Sequence, residues 1–169
     1  MMKQLLATIA LLALMVSPAL AQRFAYVDTE YILEKIPEYT EAQKQLDTLA
    51  VIWQKDIDAK YEEVKKMYNK YQAEEFLLTT DMKAAREEEI VKKENEANAL
   101  QRQKFGFEGD LFKKRQELIQ PIQEKVYNAI QKIATNLGYD FILDKSAGGS
   151  LILFSNPKFD LSEQVLKSL

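Results

Sequence analysis

The sequence contains neither cysteine nor histidine among its 169 residues. Without cysteine there can be no disulfide bond, no thiolate nucleophile and no lipid attached through a thiol, and without histidine there can be no histidine-based catalytic triad. The usual ligand sets of zinc are missing as well. Catalysis would have to rest on carboxylates, lysine, serine or tyrosine. We therefore expect a protein that is not an enzyme and that uses no cofactor and no metal ion.

Long apolar runs are also scarce, and the clearest one lies at the start of the chain. It covers residues 5–16, follows Lys3 and is broken by Pro18, and alanines at positions 19 and 21 suit cleavage before Gln22. About a dozen apolar residues are too few to span a bilayer. We predict that residues 1–21 are a cleavable signal peptide and that the mature protein is soluble in the periplasm.

Neither positive nor negative residues dominate the sequence. The chain has 23 lysines and arginines against 26 aspartates and glutamates, a formal net charge of −3, and the two signs are interspersed. Such a balance gives no general attraction to nucleic acid, so we expect no nucleic-acid partner.

Proline is absent from residues 38–120, which are rich in Glu, Lys, Gln and Ala. This composition predicts a helical hairpin arm over 39–119 with its turn at about 77–81. A helix rises about 1.5 Å per residue, so the first limb would be roughly 60 Å long. Because a compact domain of this size has no room for such a hairpin, the arm must project from a body formed by both chain ends.

Apolar residues on the first limb recur every three or four positions, which is typical of a coiled-coil seam. The stripe consists of Leu46, Ala50, Trp53, Ile57, Tyr61, Val64, Tyr68 and Tyr71. Its middle members, Trp53, Ile57, Tyr61, Val64 and Tyr68, are assigned either to packing within the hairpin or to the lining of a cavity.

Further out, the return limb offers few apolar residues to cover the first limb. The uncovered candidates are Met67, Tyr71, Phe76, Leu77, Leu78 and Met82. Tyrosine keeps one polar end and methionine repacks easily, so these side chains suit adaptable contact with a partner, although packing within the hairpin remains the alternative.

Three helix-disfavouring residues interrupt the return limb. Gly106 and Gly109 mark either a bend or a close approach of neighbouring helices, and Pro121 predicts a kink near Ile119. We treat Gly106, Gly109 and Pro121 as candidate hinges.

The body is expected to comprise residues 22–38 and 120–169, with strands at about 23–28, 139–144 and 150–155. The last two flank a glycine-rich turn and read as a β-hairpin. Its apolar residues are Phe24, Tyr26, Val27, Phe141, Leu143, Leu151 and Leu153. A body this small has too little interior to fix two long limbs alone, so we predict a homo-oligomer with a shared core. The fold class is mainly α, with a small β-containing body and a long helical hairpin.

Several segments together resemble the Skp/OmpH family of periplasmic chaperones. They are Pro-Ile-x-x-Lys-Val-x-x-Ala-Ile-x-x-Ile-Ala at 121–134, Gly-Tyr-Asp-Phe-Ile-Leu-Asp at 138–144 and Asp-Leu-Ser-Glu-Gln-Val-Leu at 160–166, in the order signal peptide, strand, hairpin and body. The resemblance covers the whole mature chain. It implies a homotrimer whose arms enclose a cavity and hold unfolded outer-membrane β-barrel proteins without ATP.

The charge departs from the strongly basic character of the well-known enterobacterial member. Residues 60–104 carry ten basic and ten acidic side chains, which argues against contact with anionic lipid or lipopolysaccharide. The alternative function is a structural coiled-coil spacer or envelope adaptor, which would bind one folded partner permanently.

Overall fold

A computed structural model describes residues 22–146, 152 and 154–169. In chain order its elements are β1 Phe24–Val27, α1 Thr29–Glu34, α2 Pro37–Glu74, a 3₁₀ turn Glu75–Leu77, α3 Thr80–Phe105, α4 Asp110–Leu137, β2 Phe141–Asp144, a 3₁₀ turn Pro157–Phe159 and α5 Ser162–Leu166. The predicted fold class is confirmed: two long limbs form a hairpin, and both chain ends meet in a body with a small sheet. The predicted signal peptide lies outside the described residues.

Local sequence explains where the arm helices start. α2 begins at Pro37, whose missing N–H costs nothing in the first turn, and its 38 residues span about 57 Å. α3 is capped by the Thr79 hydroxyl, which accepts a hydrogen bond from the Met82 N–H. Within the described part of the chain, no helix combines the length and apolarity needed to cross a membrane.

The sheet joins distant parts of the chain. β1 and β2 pair in parallel, with Phe24 opposite Phe141 and Val27 opposite Asp144. The sequence also predicted a hairpin between 139–144 and 150–155. Ile152, Phe154 and Ser155 lie outside any strand, and Leu151, Leu153 and the glycines of the predicted turn lie outside the described residues. Two strands that enclose a long helical connection can run in the same direction, whereas a short turn permits only antiparallel pairing.

The main core lies between the sheet and the helices that flank it. Its buried residues are Ala25, Val27, Ile32, Leu33, Ile36, Val126, Ala129, Ile133, Leu161 and Val165. A smaller cluster of Ala42, Leu46 and Ile119 continues this core into the base of the arm. Apolar packing therefore anchors the first turns of α2 against α4.

Asp144 ties β2 to the start of α1. Its carboxylate accepts hydrogen bonds from the Thr29 hydroxyl at 2.6 Å, the Thr29 N–H at 3.2 Å and the Ser146 N–H at 3.0 Å. Burial alone would raise the pKa of Asp144, but the hydrogen bonds from Thr29 and Ser146 outweigh it and hold that pKa below its usual value.

The end of α4 is tied to the start of β1. Gly138 adopts the left-handed conformation, φ 67°, and caps the helix. The Arg23 guanidinium donates to the Leu137 carbonyl at 2.5 Å, and the Arg23 N–H donates to Asp140 at 2.7 Å. The body is thus fixed by contacts between its two chain segments.

Candidate functional site

The inner seam of the arm follows the predicted stripe only in part. Ile57 is 1% exposed, Trp53, Tyr61 and Val64 are half-buried, and Tyr68 keeps half of its surface in water. The return limb places few large apolar side chains opposite this part of α2, so the cover over the stripe thins beyond Ile57. Tyr68 therefore lies at the edge of the seam.

Polar contacts join the two limbs beyond Ile57. The Tyr61 hydroxyl lies 2.6 Å from Asn98 Oδ1, and the Tyr71 hydroxyl donates to Glu87 at 2.5 Å. That hydrogen bond raises the pKa of Tyr71 to about 12. Lys93 pairs with Glu63 at 3.5 Å, and the Glu63 carboxylate raises the pKa of Lys93. Water can replace such contacts at modest cost, so the outer seam is held weakly.

The end of the arm displays apolar side chains on an ordered turn. Phe76 is 82% exposed and Leu77 is 70% exposed, with Met82 also exposed. Leu78, Met67 and Tyr71 are half-buried beside them. The turn is braced by the Thr79 cap and by an ion pair from Lys83 to Glu75 at 3.1 Å. The structure therefore brings the six predicted contact residues to one end of the arm, where Phe76, Leu77 and Met82 are the most open.

The candidate hinges differ from one another. α3 ends at Phe105 and α4 starts at Asp110, so Gly106 and Gly109 bound a break in the return limb. Pro121 lies inside α4, which continues through it to Leu137.

The outer face of the sheet carries exposed aromatic side chains. Phe24 and Phe141 stack with their ring centroids 5.3 Å apart, and both are exposed, as is Leu143. Tyr26 and Val27, which belong to the same predicted set, are buried. An apolar groove of about 580 Å³ crosses this face. Its lining includes Phe24, Tyr26, Tyr139, Leu143, Phe154 and Phe159.

Sequence reasoning missed several exposed apolar residues on the arm. Phe107, between the two glycines, is 97% exposed, and Val51, Ile52, Val91 and Phe112 are also exposed. The sequence alone could have indicated them, because each is an apolar residue that lies outside the regular spacing of the seam.

Among the described residues there is no cluster of side chains suited to hold a metal ion. Every buried side-chain nitrogen or oxygen in that part of the chain has a hydrogen-bond partner.

Comparison with known proteins identifies the family of this chain. Residues 23–169 match the family described as outer membrane protein (OmpH-like). The chain belongs to the OmpH-like family. This confirms the resemblance drawn from the sequence and places the OmpH-like chain in a chaperone family.

Two relatives of this OmpH-like chain illustrate the match. The chaperone protein Skp of Yersinia enterocolitica is 26% identical over 154 residues, which cover 88% of this chain and 87% of the relative. A crystal structure from Caulobacter crescentus, of a protein described as a candidate OmpH-like outer membrane chaperone, superposes with a TM-score of 0.67 at 12% identity. That match covers 90% of this chain and 85% of the other, and it supports the fold.

Proposed function

We propose that this OmpH-like chain is an ATP-independent holdase that acts in the periplasm as a homotrimer. In this proposal the arms enclose unfolded outer-membrane β-barrel proteins and keep them from aggregating. The observation that carries it is the end of the arm, where most of the surface of Phe76 and Leu77 is exposed to water.

A holdase must bind many sequences and release them. Exposed Phe, Leu and Met side chains offer apolar area without a shaped pocket, and burying one such side chain is worth only about 1.5–3 kcal/mol. Several such contacts in parallel would retain an unfolded chain, while each one alone would break readily. Because residues 60–104 carry equal numbers of acidic and basic side chains, the arm has no electrostatic preference for acidic or basic unfolded proteins.

Self-association is supported by the outer face of the sheet. Phe24, Phe141 and Leu143 are exposed there together, beside the apolar groove. Exposed apolar patches of this kind commonly mark protein interfaces. A native mass of three chains for residues 22–169 is expected, and a stable monomer would contradict a body shared between subunits.

The chaperone activity is tested by diluting a urea-unfolded outer-membrane β-barrel protein into buffer and following light scattering. We expect stoichiometric trimer to suppress scattering without any nucleotide. The double variant Phe76→Ser/Leu77→Ser should suppress it less. Tyr127→Ser, which removes an exposed aromatic residue from the body, is the matched control and should suppress scattering like the unmodified protein. Scattering that is unaffected by stoichiometric trimer would overturn the proposal.

A further inference from the structure

The return limb is broken between α3 and α4, and we call residues 106–109 the joint. α2 runs past the joint without interruption. The Trp53 ring of α2 lies beside the joint, where it meets Phe105, the last residue of α3, edge to face with 6.4 Å between ring centroids. At this level one continuous helix therefore faces the ends of two others.

The backbone of the joint requires its glycines. A Cβ on Gly106 would lie 2.3 Å from the Arg102 carbonyl oxygen, and a Cβ on Gly109 would lie 2.8 Å from that of Gln103. Between them Glu108 takes a positive φ of 53°, which non-glycine residues seldom adopt. The break is thus specified by the sequence and differs from simple fraying of a helix end.

One side chain of α3 contacts both of the other helices at the joint. Lys104, in the last turn of α3, places its ammonium 2.6 Å from Asp110 Oδ2 at the start of α4. The same ammonium lies 4.7 Å from the centroid of the Trp53 ring on α2. A charged hydrogen bond and a cation–π contact are therefore made by a single group.

The Lys104 contact is more sheltered than the other ion pairs of the described residues. Its side chains keep 21% and 32% of their surface exposed, and Lys104 is the least exposed basic partner in any of those pairs. The hydrogen bond from Lys104 also lowers the pKa of Asp110. Partial shelter from water means that solvent and salt screen this pair less than a fully exposed surface pair.

The mechanical role of the contact follows from the break. Inside a helix the i→i−4 hydrogen bonds fix each turn to the next, but no such ladder crosses the joint. The angle between α3 and α4 is then set by the joint backbone, by side chains that reach across it, and by the packing of both helices against α2.

We propose that Lys104 is a positioning residue that holds α3 at a defined angle to α4 by bridging Asp110 and Trp53. The bridge sets how far α3, which runs to the end of the arm, departs from the direction of α4, which runs to the body. It also positions Phe107, which the joint carries in water. Its effect on client enclosure rests on the proposed function, whereas the bridge itself does not.

The test measures the angle without any client. Since the sequence has no cysteine, Thr80→Cys near the end of the arm and Lys132→Cys on the body can be spin-labelled uniquely; both positions are exposed. Labelled chains are mixed with excess unlabelled chain, so that each assembly contains at most one labelled copy. Pulsed electron resonance then gives the distribution of distances within one chain.

We expect a narrow distribution for the unmodified protein and a broader one for both Lys104→Met and Asp110→Asn. Combining the two substitutions should add little further broadening, because both remove the same contact. Lys104→Arg keeps the charge and the ring contact and should restore a narrow distribution. Lys93→Met is the matched control: it removes an ion pair between the limbs away from the joint and should leave the distribution unchanged.

Salt provides a second readout. Raising NaCl from about 0.01 M to about 1 M shortens the Debye length from roughly 30 Å to about 3 Å. The unmodified distribution should broaden over this range, and that of Lys104→Met should not. If Lys104→Met loses helix content in circular dichroism, Asp110→Asn, which keeps the lysine over the Trp53 ring, carries the test.

An unchanged distribution in Lys104→Met or Asp110→Asn, or equal broadening in Lys93→Met, would overturn the role of Lys104. A failure of Lys104→Arg to restore the narrow distribution would overturn it too. Conversely, the expected distances together with no suppression of client scattering would overturn the holdase proposal and leave the bridge standing.

Discussion

The helices of the body and those of the arm are held together by different kinds of contact. The body contains a cluster of ten buried apolar residues, whereas residues 47–118 contribute only Ile57, Ile90 and Ala97 as buried apolar side chains. The limbs are joined elsewhere by tyrosine hydroxyls, amides and ion pairs. Apolar burial resists water, while exposed polar pairs exchange with it, so the arm should open locally at a lower free energy than the body.

The largest effect is expected from truncating the core of the body. Ile32 is fully buried there, so Ile32→Ala should lower the free energy of unfolding by about 3 kcal/mol through lost transfer energy and a residual cavity. Denaturant titration measures this. Ile52→Ala, at an exposed position on the arm, is the control and should change stability by less than about 0.5 kcal/mol. Equal losses in the two variants would abolish the distinction between body and arm.

A smaller and more local loss is expected at Ile57, the most deeply buried side chain of α2. The thinly packed arm can collapse around the gap, so Ile57→Ala should cost about 2 kcal/mol, which lowers hydrogen-exchange protection roughly thirtyfold. The loss should appear in α2 and α3, with β1 and β2 unchanged. Protection lost equally in the strands would show that arm and body unfold as one unit.

Acid should weaken the body through Asp144. Because the folded-state pKa of Asp144 is lowered, its contribution to stability is present above the unfolded value, near pH 4, and is lost as pH falls through the folded pKa. Stability measured from pH 6 downwards should therefore fall more steeply for the unmodified protein than for Asp144→Asn. If stability fell equally with pH in the two proteins, the hydrogen bonds of Asp144 with Thr29 and Ser146 would be contradicted.

The smallest effect is expected in the outer seam. The pKa of Tyr71 is about 12 in the folded arm, because a tyrosinate would lose its hydrogen bond to Glu87 and face that carboxylate. A raised pKa contributes stability below the ordinary value of 10.0 and loses it as pH rises through 12. NMR titration of the tyrosine rings should show Glu87→Gln lowering this pKa towards 10.0. No change would mean that the limbs do not meet at Tyr71.

Local periodicity explains why much of the arm was predictable. A helix repeats every 3.6 residues, so the positions of Ile57 and Trp53 on one face of α2 follow from their spacing alone. These features need no knowledge of distant residues.

Features that depend on distant contacts were not accessible in this way. β2 pairs with a strand whose residues lie more than a hundred positions earlier, and nothing near Phe141 indicates that partner; the nearby segment 150–155 was the simpler choice. The contact of Lys104 with Trp53 depends on the offset between the two limbs. Periodicity fixes which face of a helix is apolar but leaves that offset open.

The parallel pairing of β1 with β2 has a kinetic consequence. Phe24 and Phe141 are 117 positions apart, so the sheet cannot form until both segments and everything between them are available. Hairpin limbs make mostly short-range contacts and should zip up early, whereas closing the large loop that encloses them is slow. A chain supplied from its amino end would thus display finished limbs before the sheet of its body has closed.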